Sequence, residues 1–441
     1  MIGKLPDQSQ GNLFSTPLVR LLNPQHPLFL LANEIDWKKF EDEFGSLYSH
    51  TGRPSAPIRL MVSLLILKQL DNLGDETVLQ KWIENPYFQY FSGMDVFQWK
   101  MPIDPTDLVY FRKRIGEPGV ELILKASIEI HGEDAREDQI VADTTVQEKA
   151  ITYPTDAKLY KRVIDHCRKI AKKEGTEMRQ SYVRVVPRLM RQQFNAHHPK
   201  RRKKARSATQ KLRTIAGRLL RELERNLGEV QMLIYQRQID LYWRVLNQQR
   251  SDKDKVYSLH APEVACIAKG KAHPKFEFGS KVSIAKTKTT GIIVAAVNFR
   301  GNPYDGHTLK PTLDQHENLT GFRARICAAD RGYRGLKEIG TTQVIIPDKP
   351  KKRDTYYKRR KKKLLMRRRA AIEPVIGHLK ARFRLKRNWL KGTKGDQINL
   401  TLAAAAFNFK KWMNKKMEEW IFIFLNWWVW LIAPARLKKA G

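Results

Sequence analysis

The chain has 441 residues and a mass of 51.4 kDa, more than one hydrophobic core usually organises, so two or more structural units are expected. Apolar residues make up 42% of it and aromatics 10%, which excludes a chain that is disordered throughout. A formal net charge of +37, from 82 Lys and Arg against 45 Asp and Glu, favours a phosphate polyanion or an anionic membrane surface as partner.

In chain order, the first residues, MIGKLPDQSQGNLFS, lack the basic start and apolar run of a secretory leader. Residues 26–135 read as helical: Pro57 opens the apolar stretch Ile58–Leu73, and Thr77–Ile83 and Asp107–Ile115 read as further helices. A helix-turn-helix is one reading of this region. Residues 1–156 are net acidic at −8, however, which favours packing or subunit contact. A strand, QIVADTTVQ, follows from Gln139.

Residues 157–250 then carry +18. Within them Leu212, Ile215, Leu219, Leu223, Leu227, Val230 and Ile234 recur at steps of three and four, predicting one long amphipathic helix. After Arg250 the pattern turns to strands at Glu277–Ala285, Gly291–Asn298, Arg325–Ala329 and Thr342–Ile346, with short helices at Gly306–Leu319 and Tyr333–Ile339. Residues 251–348 carry only +5, but 349–391 carry +17, with a Lys/Arg cluster at Arg353–Lys363. Two blocks therefore hold nearly all the excess charge, as expected of a surface that tracks a polyanion.

The chain closes on Trp420–Ala433, fourteen nearly all-apolar residues rich in Trp. The run is shorter than the roughly 20 residues that span a bilayer, so a partner-packing or interfacial helix is expected and stable membrane insertion is not. The three cysteines, Cys167, Cys266 and Cys327, have no CxxC spacing. That excludes a disulfide framework or a Cys-based zinc finger and fits a reduced cytoplasmic setting.

Acids are scarce in the second half, so those at strand ends stand out. Asp143 ends QIVAD and Asp330 ends RICAAD. Each could be a turn or helix N-cap residue, or a carboxylate delivered at a strand tip. Glu373, in MRRRAAIEPVIGHLKARF, is one of two acids between Lys349 and Lys391; it reads as a counter-charge or as a third member of the set. Three such carboxylates facing a basic groove would hold Mg²⁺ or Mn²⁺, hard cations that prefer oxygen, and a metal pair can clamp both oxygens of a phosphodiester displacement. The histidines show no zinc-ligand spacing.

The segments VADTTVQEKAITYPTDAKL, NPYDGHTL, ADRGYRG and IEPVIGHLKARFRL, with YSLHAPEVACIAKGKAHPKFEFGSKVSIA between the first two, resemble those of bacterial insertion-sequence transposases of the DDE class, in the fourth and fifth insertion-sequence families. The resemblance runs upstream to MPIDPTDLVYFRKRIG and downstream to NLTLAAAAFNFKKWM. It implies an α/β RNase H-like catalytic core, a mixed sheet flanked by helices, interrupted by a basic helical insertion and preceded by an all-α N-terminal domain. The expected divisions are 1–135 helical, 136–156 and 251–416 catalytic, 157–250 insertion, and 417–441 tail. Asp143, Asp330 and Glu373 match the places of the catalytic, metal-holding acids. A signature of Tyr, two residues, Arg, three residues, Glu, six residues, Lys is matched by Arg369, Glu373 and Lys380, with Met366 where Tyr is expected.

On a continuous helix Arg369, Glu373 and Lys380 fall within about 60° of one another. Pro374 interrupts that picture: either the helix kinks at Glu373, or a new helix begins with Pro374 as its first residue. The expected DNA contacts are Arg369 and Lys380 at the site, and Lys200, Arg201, Arg202, Lys203, Lys204 and Arg206 in the insertion. The implied function is metal-dependent cleavage at the ends of an insertion sequence and transfer of its 3′-OH ends to target DNA. Such a protein works on double-stranded DNA as a homodimer or larger assembly, in the bacterial cytoplasm at the nucleoid. The alternatives are an RNase H-like nuclease without strand transfer and a non-catalytic DNA-binding derivative.

Overall fold

The computed structural model describes residues 3, 5, 16–49, 51–268, 275–347 and 354–432, side chains excepted at 361, 362, 365, 368 and 423–432. Helices α1 (Leu18–Leu21), α2 (Pro27–Glu34), α3 (Trp37–Gly45), α4 (Ile58–Leu70), α5 (Asp75–Glu84), α6 (Pro86–Phe91) and α7 (Pro105–Glu129) lead to strand β1 (Gln139–Glu148). Then come α8 (Asp156–Lys173), α9 (Val185–Arg191), α10 (Pro199–Asn226), α11 (Glu229–Asn247), β2 (Ala265–Ala268), β3 (Phe276–Thr287) and β4 (Ile293–Phe299). The last elements are α12 (Asp305–Thr320), β5 (Ile326–Ala328), β6 (Glu338–Ile339), β7 (Thr342–Ile345), α13 (Tyr356–Ala370), α14 (Ile372–Arg382) and α15 (Gly392–Ile432). The chain divides into two compact units, Met1–Gln147 with Lys281–Phe299 and Pro303–Gly441, and Glu148–Ser280 with Arg300–Asn302.

In the first unit the sheet runs β4-β3-β1-β5-β7-β6. β1, β5 and β7 are mutually parallel, whereas β3/β4 and β6/β7 are antiparallel. Helices α12 and α15 pack on β4, and α7 packs on both. α4 is buried nearly all round, from Ile58 to Gln69, because its apolar residues cover every face and it can only sit inside a core. The helices of residues 1–135 accordingly share one hydrophobic cluster with the sheet and α15, in which Leu64 and Ile123 join Ile284 and Phe409. Gly116, at φ +60°, breaks the helical path of α7 after Ile115, a backbone region that favours a residue without Cβ.

Polar bonds inside this core tie the N-terminal helices to the end of α14, and α15 to β1. The fully buried Gln69 of α4 donates to Phe383 O at 2.8 Å. Arg384, held at φ +62°, donates to Asn72 O and Leu73 O at 3.1 and 2.5 Å. Asn399 and Asp396 of α15 bond Gln147 of β1, at 2.8 Å to its Oε1 and 3.0 Å from its Nε2. Both the strand carrying Asp143 and the helix carrying Glu373 are thus anchored to one interior.

Beside Arg384 lies a charged cluster: Asp75 takes two bonds from Arg112, at 2.7 and 2.6 Å, and one from Lys68 at 2.6 Å. Burial pushes the Asp75 carboxyl up, but the Arg112 hydrogen bond and the Lys68 ammonium outweigh it and bring its pKa to about 2. Burial, with Arg112 beside it, lowers Lys68 to about 8.

In the second unit, β2 pairs antiparallel with the start of β3, Ala265 opposite Gly279. Its helical core joins Val163, Ile164 and Cys167 of α8 to Leu212, Leu219 and Leu223 of α10 and Tyr235, Ile239 and Tyr242 of α11. The single long helix expected over the Leu212–Ile234 stripe is instead two helices, because Gly228 is extended and caps α11 with Gln231 folding back on its amide. The restart shifts the helical phase, so Val230 and Ile234 are exposed and Tyr235 and Ile239 face the core.

The helix expected at Tyr333–Ile339 is a 3-10 turn, Arg331–Tyr333, followed by β6 in a hairpin with β7. At the carboxyl end α15 continues to Ile432, with Trp420, Ile421 and Phe422 exposed. Arg353, His273 and Ala433 lie outside the described residues. Among the described residues no helix is long and apolar enough to cross a membrane.

Replacing Asp75 with Ala leaves Lys68 and Arg112 buried without their counter-charge and is expected to destabilise the protein by about 3 kcal/mol in chemical denaturation. Because the folded-state pKa of Asp75 lies below its unfolded value, its contribution is present at neutral pH and is lost as the pH falls through about 2.

Candidate active site

The site begins with strand register. β1 pairs with β5 so that Gln139, Ile140 and Val141 lie opposite Ile326, Cys327 and Ala328. Asp143 and Asp330 are each two residues beyond the last of these pairs. β1 runs on to Glu148, so Asp143 lies within the strand and not at its tip as the sequence suggested, on the face of Val141 because side chains repeat every second residue, whereas β5 ends at Ala328 and Asp330 lies just beyond it.

That face has its own small hydrophobic cluster of Val141, Ala328 and Ile372, with Met366 and Ile376 packed against it. Ile372 immediately precedes Glu373, so its burial on the sheet carries Glu373 to the side of β1 on which Asp143 lies. Met366 serves the same packing, which accounts for an apolar side chain where a tyrosine was expected.

The break between α13 and α14 falls at Ala371, and Pro374 is the third residue of α14, not its first. The first three amides of a helix have no intrahelical acceptor, so proline costs nothing there. Arg369 remains on α13 and still faces the acids across the break. Its guanidinium is 3.9 Å from Asp143 Oδ2 and 3.7 Å from Glu373 Oε1. Arg369 and Asp143 are largely buried, whereas the Glu373 side chain is 68% exposed. Lys380 lies two turns further along the face of α14 that carries Glu373.

Asp330 caps the 3-10 turn, its Oδ1 accepting from Gly332 N at 2.7 Å. The amide of Thr144 donates to Asp143 Oδ1 at 2.8 Å. As they stand, no three His, Cys, Asp or Glu side chains among the described residues form a ready metal cage; the cation shared by Asp143 and Glu373 is Arg369. The donor set nevertheless suits a hard divalent ion, since it is all carboxylate oxygen and already holds a cation between two of its members.

Sequence reasoning missed a second layer beneath these acids. Asp305, the first residue of α12, accepts from Thr144 Oγ1 at 2.9 Å, and the same Oδ1 pairs with Lys281 Nζ at 2.6 Å. Lys281, on β3, also donates to Pro303 O at 2.7 Å. Asp305 could be read from the sequence only as a favourable acid at a helix start. Tyr333 lies fully buried alongside, and its hydroxyl makes no hydrogen bond. Burial, with the Asp143 and Asp305 carboxylates near, pushes that phenol well above its ordinary range.

The predicted cations of the second unit, Lys200, Arg201, Arg202, Lys203, Lys204 and Arg206, are all exposed at the start of α10, whose first turn holds no acid. His198 caps that helix, accepting from Lys200 N at 3.3 Å.

Residues 243–409 match the family model described as Transposase DDE domain, and residues 17–114 match the one described as Transposase domain (DUF772). The chain belongs to the insertion-sequence DDE transposases. The DDE match includes Asp305, Asp330, Arg369, Glu373 and Lys380 and begins after Asp143. A curated relative, the Uncharacterized protein ORF8 in nfe locus of Rhizobium meliloti, is 43% identical over 188 residues, which is 42% of this chain and 91% of the relative. No solved structure matches. DDE transposases act on DNA and normally work with a divalent metal, and the mixed sheet flanked by helices is consistent with that family.

An unpaired buried hydroxyl costs stability. Tyr333→Phe is therefore expected to raise the thermal midpoint, by an amount corresponding to about 1 kcal/mol, in differential scanning calorimetry.

Proposed function

We propose that this transposase cleaves DNA at the ends of its own insertion sequence and joins the exposed 3′-OH ends to target DNA, with Asp143, Asp330 and Glu373 as the catalytic acids of an RNase H-like core. The observation that carries the reading is the β1–β5 register, whose last pair, Val141 opposite Ala328, lies two residues before both Asp143 and Asp330, with Glu373 joined to Asp143 through Arg369. In this reading 136–156 and 251–416 form the catalytic domain, 157–250 the DNA-tracking insertion and 1–135 its scaffold. The protein works in the bacterial cytoplasm as a dimer or larger assembly on paired ends.

Asp143, Asp330 and Glu373 would hold Mg²⁺ or Mn²⁺, which supplies the positive charge that lets a phosphodiester approach the acids and that steadies its attacking and leaving oxygens. The rest of the work belongs to the chain. Arg369 neutralises Asp143 and Glu373 before DNA arrives and then turns to a phosphate, where its planar fork suits two oxygens. Lys380 holds the backbone further along α14.

Six cations at the start of α10 oppose the positive end of its helix dipole. A row of phosphates relieves that repulsion, so the same arrangement that is unfavourable in the free protein favours DNA.

Asp143→Ala, Asp330→Ala and Glu373→Ala are each expected to abolish metal-dependent strand cleavage of element-end DNA while leaving DNA binding in gel-shift assays intact. Any of the three that still cleaves removes that residue from the set. A precleaved end joined to target DNA by the wild-type chain separates transposition from simple nuclease action.

Changing Lys200, Arg201, Arg202, Lys203, Lys204 and Arg206 to Gln should flatten the log-log salt dependence of DNA affinity by about 0.9 for each phosphate the chain no longer neutralises. An unchanged slope takes the start of α10 out of the DNA interface.

A further inference from the structure

We propose that Asp305 is a positioning residue for the metal-holding acids, fixing Asp143 on β1 and Asp330 beyond β5 in one geometry through Thr144 on one side and Gly332 on the other, with Lys281 as its counter-ion. The inference rests on the reading of Asp143 and Asp330 as metal ligands and adds to them a supporting layer.

Three observations converge on Asp305. Its Oδ1 is held by Thr144, the residue next to Asp143, and by Lys281, whose side chain is 11% exposed. Its Oδ2 lies against Gly332: a Cβ built there would come within 2.4 Å of Asp305 Oδ2 and 2.9 Å of Asp330 Oδ1. Position 332 therefore faces both carboxylates, and its amide holds Asp330. No side chain larger than hydrogen fits between them without moving an acid. Asp305 thus bears on β1 and on the turn after β5 at once, and neither contact depends on the exposed Glu373.

Tyr333 closes the arrangement from below. Thr308 lies beside its phenol but donates its hydroxyl to Asp305 O at 2.7 Å, and the Tyr333 hydroxyl is left without a partner.

Supporting groups that orient metal-binding carboxylates typically change metal affinity by about 10- to 100-fold when removed. The test uses the full-length chain without DNA and Mn²⁺ as probe, free Mn²⁺ being read by electron paramagnetic resonance. Thr144→Val keeps the shape of the side chain and removes its hydroxyl, and Lys281→Met removes the ammonium. Both are expected to raise the Mn²⁺ concentration for half-saturation by about tenfold or more without changing the number of ions bound. Thr144→Ser, which restores the hydroxyl, is expected to stay close to wild type. Asp143→Ala is the reference that loses the ion.

Unchanged Mn²⁺ affinity in Thr144→Val, alongside loss in Asp143→Ala, overturns the positioning role. So does loss of a bound ion in Asp305→Asn when Thr144→Val keeps it, because Asp305 is then itself a ligand. Intact Mn²⁺ binding in Asp143→Ala instead overturns the reading of the site, and this inference with it. If Lys281→Met fails to fold, the Thr144→Val and Thr144→Ser pair decides alone.

Discussion

The structure depends on the parallel pairing of β1 with β5. A slip of one residue would turn one of the two aspartates to the opposite face of the sheet, so the site exists only in this register. The register is set by burial: Val141 and Ala328 seat Ile372 on one face, while Ile140 and Cys327 enter the main core on the other. Hydrophobic packing on both faces thus leaves the strands one way to align, and the two acids inherit that alignment. The chain needs no direct attraction between Asp143 and Asp330, which repel.

The repulsion is managed by cations placed at different depths. Lys281, on β3, is buried and belongs to Asp305 at the start of α12. Arg369 sits at the edge, on a helix that ends at Ala370, about 4 Å from two acids instead of in close contact with either. A close, buried pair is costly to part, whereas the longer contacts of Arg369 hold each acid less tightly. The geometry separates a structural counter-ion from an exchangeable one.

Much of this was legible in the sequence. Buried runs ending in Asp are conspicuous where acids are rare, although β1 runs on past Asp143 to Glu148, and β1, β3, β4, β5 and β7 all lie where alternation and β-branched residues placed them. The breaks were harder to read. Gly228 divides α10 from α11 although the apolar spacing runs through it, because leucine spacing records which residues are apolar and not whether the helix axis continues. Pro374 narrowed the start of α14 to a few residues, but proline is equally at home in any of the first three positions. Asp305 was invisible for another reason: its partners Thr144, Lys281 and Gly332 come from three other segments of the first unit, and only the fold assembles them.

Several features of the first unit cost stability, and they gather around the acids and α14. Arg384 holds a left-handed backbone, which an arginine adopts under strain, and is pinned there by Asn72 and Leu73 at the end of α14. Tyr333 keeps an unpaired hydroxyl beneath Asp143. Neither is compensated locally, yet both border a large core made of the N-terminal helices, the sheet and α15. An acidic region without a clear DNA-reading motif therefore has a physical role: its buried Leu, Ile and Phe, and the Gln69 bond to Phe383, supply the stability against which the strained end of α14 is held. Loosening that interior would reach Glu373 before it reached Asp143, since Glu373 is fixed by one helix and Asp143 by a strand paired inside the sheet.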